Sequence, residues 1–458
     1  MFSNIKINPK LYKYLKIIIC LNPLIFAFFV IYNDFVDYRG ATESSKYTSI
    51  AYEWLGYSST NSIDEFKRLP VYSAIISLIF KVFGVGNLYA LLIFQSILGV
   101  ITFFYLIKSL EILNLDKNII ILLTFLFNLN IVYRFSVFLP NCIFIFFISL
   151  FIYNFTIFYF QKNKISFYFM CIFIFLLLLT RPTLQLIIFI TFPILIFFLS
   201  KQNFSKKIKL QFITILILSY VLGIGTQFYR SYSKFNQFVY TTQAGQHLSL
   251  WVIPCLSKKY GCDARDKEVL DYIQSKYQKE ILNKNFSEIE KDRVLKKIGI
   301  DYFINEVDKK KALVSIFFSY AKLLLHTSLT EVYDQFQVEF KSFSTFEGIS
   351  FFQKLNELIK KTFSDPKYFF WCLCLFFLFI MRFVQIVAIF TVLNNKKMTL
   401  YILIILSLIP VILMPAIGMS NPRYRSEIEP ILLILGAIGI DKINYFYKNY
   451  FLKSHLTK

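Results

Sequence analysis

Apolar runs recur along almost the whole chain, at 15–33, 87–107, 118–133, 138–160, 165–180, 183–200, 211–228, 369–393, 399–417 and 428–440. Several fall short of the roughly 20 residues that a perpendicular transmembrane helix needs. Ten such runs with mostly short polar connections nevertheless predict an all-α polytopic membrane protein with about 10 transmembrane helices. Two polar intervals are long, 34–86 and 229–368. The expected organisation is therefore a transmembrane module over 1–228, an extramembrane domain over 229–368 and a second transmembrane module over 369–458. The domain reads as mainly helical. Asp263 is placed to cap a helix running to about Leu282, with Val269, Ile273, Tyr277 and Ile281 on one face. Ser287 and Glu290 have the spacing of a capping box for the next helix. Segments 71–84 and 312–325 are apolar but short, and Lys81 and Lys322 interrupt them. Both are expected to lie along the membrane surface.

Composition strengthens this reading. Of 458 residues, 56% are apolar and 19% aromatic, which excludes a disordered chain and is unusual for a soluble enzyme. The net charge of +22 raises nucleic acid as a partner. The lysines sit in short patches between apolar runs rather than on one basic face, which argues for topology instead. Lys6, Lys10 and Lys13 precede the first run. Lys162, Lys164, Lys201, Lys206, Lys207, Lys209, Lys396, Lys397 and Lys442 all fall on the same side of a ten-span topology. The positive-inside rule makes that side cytoplasmic and leaves 34–86 and 229–368 outside a cytoplasmic (inner) membrane. No small-x-small cleavage site follows the first run, so a retained anchor with both termini cytoplasmic is expected.

Cys255 and Cys262 lie close together in the predicted extracytoplasmic domain, where a disulfide is the natural reading and two free thiols the alternative. No Cys/His cluster has zinc spacing, so no protein-bound metal is expected, with a weakly held divalent cation left open.

The acids are distributed unevenly. The 229–368 region carries 17 of the 28, and six of the other eleven, including Asp34, Asp37 and Glu43, lie in the first predicted outer loop. None sits in the middle of an apolar run. That absence argues against ion-coupled transport and for chemistry at the outer face. A helix starting near Glu43 puts Tyr47 and Ala51 on the same face as Glu43, and Arg68-Leu-Pro-Val-Tyr72 follows. Lysines outnumber arginines four to one, yet Arg68, Arg134, Arg181, Arg423 and Arg425 all fall at outer ends of spans. Bidentate guanidinium pairing suits a phosphate at that depth. Headgroup anchoring or pairing with acids such as Glu427 is the alternative. Arg382 lies within an apolar run, where it either faces a cavity or snorkels to the surface.

The order acid-x-x-x-Tyr-x-x-x-Ala from Glu43, then Arg68-x-Pro-x-Tyr72 and an apolar stretch ending in Gly84, resembles the C-type membrane glycosyltransferases. The likeness is greatest to the branch with protein O-mannosyltransferases and the lipid A aminoarabinose transferase. Thr180-Arg-Pro-Thr183 and Pro422-Arg-Tyr-Arg425 fit the same pattern. The resemblance covers roughly 15–230 and 369–440. In the domain, Gly245-Gln-His247-Leu-Ser-Leu-Trp251 looks like a loop of some bacterial members. The resemblance implies an inverting transferase that moves a sugar from a polyprenyl-phosphate donor to a glycan, lipid or protein acceptor. Glu43 then takes the place of the family's catalytic Asp, with Asp37 and Asp34 in reserve. Arg181, Arg423, Arg425, Arg68 and Arg382 are candidates for the donor phosphate. Tyr47, Tyr72, Arg134, Asn141 and His247 are candidates for positioning, although a lone His is equally readable as structural. Asn141 stands where members often carry a second acid, and an amide can orient an acceptor but cannot take its proton. A glycolipid flippase or exporter, or an oligosaccharide polymerase or ligase, is the alternative class. The discriminating feature is whether the loop acid lies beside the arginines.

Overall fold

The computed structural model describes residues 8–36, 42–57, 67–258, 265–282, 284–327, 329–335, 351–392, 396–417 and 422–446. Every regular element among them is helical. Seven stretches are long and apolar enough to cross a bilayer: Pro9–Tyr32, Leu88–Ile112, Asn141–Gln161, Pro182–Lys201, Lys206–Phe235, Pro366–Thr391 and Met398–Ala416. The protein is an all-α, multi-pass membrane protein. The three other predicted spans also fold as helices, Lys117–Phe135, Lys164–Leu178 and Glu429–Phe446, of 19, 15 and 18 residues. The second is too short to cross alone, and the third carries Glu429, Asp441 and Lys442.

By contact the chain divides into two units. One comprises Met1–Thr241, Val384–Met414 and Ser426–Lys458, and the other Thr242–Phe383 and Pro415–Arg425. In chain order the first unit opens with α1 (Pro9–Tyr32), α2 (Thr42–Trp54), α3 (Pro70–Phe83), α4 (Leu88–Ile112), α5 (Lys117–Phe135), α6 (Asn141–Gln161), α7 (Lys164–Leu178), α8 (Ile187–Lys201) and α9 (Lys206–Phe235). The second holds α10 (Ala244–His247), α11 (Ile253–Leu256), α12 (Lys267–Ile281), α13 (Glu288–Asn305), α14 (Lys309–Leu325), α15 (Leu329–Gln335) and α16 (Phe351–Ser364). The unit boundary falls inside α17 (Pro366–Val392). Then α18 (Lys396–Leu406) and α19 (Leu408–Leu413) return to the first unit, α20 (Pro422–Ser426) follows, and α21 (Glu429–Phe446) ends the described chain.

In the first unit α4, α5 and α6 form the centre, with α1 against α4 and α5, α7 against α6, and α21 against α5 and α6. Close approach has a specific cause. A Cβ on Gly99 would stand 2.7 Å from the Pro23 side chain, and one on Gly439 would stand 2.2 Å from the Val384 carbonyl. Small residues let membrane helices meet without a hydrophobic driving force. Several polar groups within the bundle are paired. Tyr401 stacks on Phe155 at 5.5 Å and shares a 2.8 Å hydrogen bond with Thr156. Ser407 donates to Thr191, and Gln385 donates to the Leu432 carbonyl. Without water in the hydrocarbon, these groups require internal partners.

Near its start α1 meets the end of α4, where Tyr12 and Lys16 bond Glu111 at 3.0 and 2.8 Å. The helices are therefore antiparallel, and short loops carry the alternation onward. One end of the bundle gathers Lys16, Lys108, Lys117, Lys162, Lys201 and Lys206. The opposite end holds Asp34, Arg68, Arg134, Arg181, Glu427 and Glu429. Lys46 and Lys67 also stand at the second end, beside Arg68, so the two ends differ in emphasis and do not separate lysine from arginine.

In the second unit α12 and α13 pack around Val252, Ile253, Leu256, Val269, Ile273, Leu295 and Ile298. The cap of α12 is Asp266, whose carboxylate accepts from the Glu268 and Val269 amides. The expected cap, Asp263, lies outside the described residues. The capping box at Ser287 and Glu290 forms as expected. Hydrogen bonds from the Ser287 amide and hydroxyl hold the Glu290 carboxyl below its usual range. Between α10 and α11 the backbone widens to a π-turn over Leu248–Val252. Cys255 is disulfide-bonded, whereas Cys20, Cys142, Cys171, Cys372 and Cys374 are free. Its expected partner, Cys262, lies outside the described residues.

Candidate functional site

Residues from four separated sequence stretches meet at the arginine-bearing end of the first unit. The first contributes α2, whose sequence turns Tyr47, Ile50 and Ala51 inward, all at most 5% exposed. Tyr47 meets Tyr72 of α3 edge-to-face, with ring centroids 5.3 Å apart, and the Arg68 guanidinium lies 5.3 Å from the Tyr47 ring. This aromatic contact fixes the two short helices against each other.

Tyr72 continues the connection inward. Its hydroxyl donates to the Gln95 side chain at 2.8 Å, and Gln95 donates to the Phe135 and Val137 carbonyls at 3.1 and 3.0 Å. Gln95 is completely buried near the start of α4. It thereby ties α4 to the α5–α6 turn, where the Val137 carbonyl also accepts from the Leu139 amide at 2.8 Å. Arg134, in the last turn of α5, is also buried and lies 5.1 Å from the Tyr133 ring.

Beyond that turn Asn141 opens α6 and donates to Glu427 Oε1 at 2.5 Å. Arg181, at the turn after α7, forms an ion pair with the same carboxylate oxygen. Glu427 is buried, and Glu429, two residues on, is fully buried in the first turn of α21. A carboxylate there interacts favourably with the positive end of the helix. The Glu427 carboxylate offsets part of the desolvation cost of Arg181.

The expected residues separate accordingly. Tyr47, Tyr72, Arg68, Arg134, Asn141 and Arg181 share one end of one unit. Arg181 is held by Glu427, which is the ion-pairing alternative to a bare phosphate clamp. Asp34 has a left-handed backbone at φ 55° and accepts a 3.3 Å hydrogen bond from Tyr89 at an exposed position. Asp37 lies outside the described residues, as does the Glu43 side chain, although Glu43 falls in the first turn of α2.

The remaining candidates lie in the second unit. Arg382 donates to the Leu324 carbonyl at 3.0 Å, and Arg425 donates to the His326 carbonyl. Both guanidiniums thus meet the C-terminal end of α14, where free carbonyls and the helix dipole favour cations. Arg382 neither snorkels nor faces open lipid, since it is 9% exposed. His247 approaches the Pro415 carbonyl at 3.0 Å through Nε2, its structural reading. Arg423 is half-buried in α20.

Sequence reasoning missed Gln95, because a single polar residue inside an apolar run reads as tolerated. It also gave Glu429 no role. No group of three or more His, Cys, Asp or Glu that could hold a metal occurs among the described residues. No family model matches the chain, and a search of curated proteins finds no match either.

Proposed function

We propose that this protein is an integral membrane glycosyltransferase that moves a sugar from a polyprenyl-phosphate donor to a glycan, lipid or protein acceptor, with inversion. The observation that supports it best is the connected network Arg68–Tyr47–Tyr72–Gln95, continuing through the α5–α6 turn to Asn141–Glu427–Arg181. It joins the helix that bears Glu43 to two further motifs on which the resemblance rests, Arg68-x-Pro-x-Tyr72 and Thr180-Arg-Pro-Thr183. The lysine-rich end faces the cytoplasm of an inner membrane, with both termini, and the arginine-bearing end faces outward.

In this reading Glu43 accepts the proton of the attacking hydroxyl as the glycosidic bond to the phosphate breaks. Arg134 and Arg68 offer charge to the departing lipid phosphate, and Arg181 shares its charge between that phosphate and Glu427. Asn141 orients without exchanging a proton. Tyr47 and Tyr72 hold the α2–α3 elbow on which Glu43 rides. The 242–383 unit selects the acceptor. A flippase would instead need a polar path through the spans, and the buried polar side chains Gln385, Ser407 and Thr156 are each engaged within the bundle.

The test is transfer from a radiolabelled polyprenyl-phosphate sugar in isolated membranes. Wild type transfers label, and Glu43→Gln reduces the rate by about 100-fold or more. Full transfer by Glu43→Gln removes Glu43 as the base. Absence of wild-type transfer across a panel of donors, with label crossing the bilayer intact, replaces the reading by the flippase.

A further inference from the structure

The opposite, lysine-rich end of the bundle contains a second polar site. A cavity of about 660 Å³ opens there, with Lys108, Glu111, Asn114 and Gln161 at its polar rim and Ile157 and Phe160 on its apolar wall. Glu111 organises the rim, accepting from Lys16 at 2.8 Å, Lys108 at 3.1 Å and Tyr12 at 3.0 Å. Both ammonium groups also lie over the Phe104 ring, at 5.4 and 6.0 Å, and Lys117 lies 5.4 Å from the Tyr12 ring. The charged groups are therefore three lysines against Glu111 and Asp116, whose carboxylate is occupied in capping α5. The cavity lining itself holds one charge of each sign, Lys108 and Glu111, and the one net positive charge comes from Lys16, Lys117 and Asp116 around it. Lys108 keeps 41% of its side chain exposed toward the site.

The surface beneath this rim identifies the ligand. Along α4, Ile93, Ile97 and Phe104 are 37%, 44% and 42% exposed and follow one helix face to Lys108. An ammonium at the upper end of an exposed apolar stripe, beside a polar cavity, matches a molecule with an anionic head and hydrocarbon tails. A soluble anion would make no use of the stripe. Basic pockets between helices at the positive end of a membrane protein suit acidic lipid headgroups.

We propose that this cavity binds the headgroup of an anionic phospholipid, with its phosphate at Lys108, supported by Lys16 behind Glu111, and its acyl chains along Ile93, Ile97 and Phe104. Cavity residues Asn114 and Gln161 donate to the headgroup hydroxyls. The lipid seals α1 to α4 and α6 at the leaflet opposite the proposed transfer chemistry, and the site is independent of that chemistry.

Delipidated full-length protein, titrated with phosphatidylglycerol or phosphatidylcholine and followed by native mass spectrometry, tests this. Wild type retains phosphatidylglycerol and releases phosphatidylcholine. The pair Lys16→Gln and Lys108→Gln weakens retention roughly 30-fold, at about fivefold per lysine. Ile157→Trp fills the cavity without altering charge and also abolishes retention, so it decides the question if the lysine pair does not fold. Lys206→Gln, at the same end but outside the cavity, binds as wild type. Equal retention of both lipids, retention by Ile157→Trp, or equal weakening by Lys206→Gln overturns the proposal. Displacement of the lipid by millimolar inorganic phosphate reassigns the cavity to a soluble anion.

Discussion

Removing the Glu427 carboxylate tests the centre of the candidate site without assuming any activity. Its side chain is 2% exposed and receives both Arg181, itself 12% exposed, and Asn141 at 2.5 Å. Glu427→Leu leaves Arg181 and the Asn141 amide buried without their acceptor. Breaking one side of a buried pair costs about 3–5 kcal/mol. Arg181→Leu alone exposes the converse deficit, an uncompensated carboxylate. Replacing both by leucine removes the charges together, so the double variant should be more stable than the two single losses sum to. Hydrogen bonds between membrane helices couple by only about 0.6 kcal/mol on average. A charge-assisted pair at this burial should give a coupling of about 1.5–3 kcal/mol. Reversible unfolding of the purified protein in mixed detergent micelles, for wild type, two singles and the double, measures that coupling. A coupling of about 0.6 kcal/mol or less would refute the reasoning, because Arg181 would then be an ordinary polar contact and free to serve another anion. Glu427→Gln keeps the shape and one acceptor, and should fall between wild type and Glu427→Leu.

Tyr72→Phe removes the hydroxyl that Gln95 accepts and should cost about 1–3 kcal/mol in the same unfolding assay; an unchanged midpoint would separate the α2–α3 elbow from the rest of the site. Gly245→Ala sets a Cβ 2.0 Å from the Asp292 carbonyl, so the helical segments must part, and the second unit should lose about 1–3 kcal/mol. Cys255→Ser opens a loop of about eight residues if Cys262 is the partner and should destabilise that unit by about 2.5 kcal/mol; peptide mapping without reduction identifies the bridge directly. The Glu290 carboxyl is held below its unfolded value. Its capping contribution is therefore complete above the ordinary carboxylate range and lost as pH falls through the lower folded value. Protection factors, which remove the base-catalysed fall in intrinsic exchange, should drop in the first turn of α13 on acidification in wild type but not in Glu290→Gln, and pH-independent protection in both would contradict the capping box.

How much of this was readable in the sequence depended on the range of the interactions. The helices around Ser287 and Lys267 follow from local capping and periodicity, so element type was legible even where the cap moved from Asp263 to Asp266. The membrane class followed from apolar length alone. Pairings that cross the chain were not legible in the same way. Asn141 and Glu427 are 286 residues apart, and nothing near either one specifies the other. Gln95 stood in an apolar run, and its value lies in carbonyls some forty residues downstream.

The arginines show most clearly what residue type does and does not disclose. Their position near span ends singled out Arg68, Arg134, Arg181, Arg423 and Arg425, with Arg382 apart inside an apolar run, yet the fold gives the arginines different surroundings. Arg382 and Arg425 meet carbonyls at the end of α14, Arg181 meets a buried carboxylate, and Arg68 and Arg134 meet tyrosine rings. A guanidinium suits all three environments because it is planar, permanently charged and weakly hydrated. An arginine near a span end therefore reports a polar or aromatic partner and does not by itself identify a phosphate site. Arg68 and Arg134 differ from the others in facing tyrosine rings, and in the proposed reading they are the ones that serve the donor phosphate. Comparing Arg68→Lys and Arg134→Lys with Arg181→Lys separates the two uses. Lysine keeps the charge and loses the fork, so donor affinity should fall at the first two positions, whereas stability should fall at Arg181.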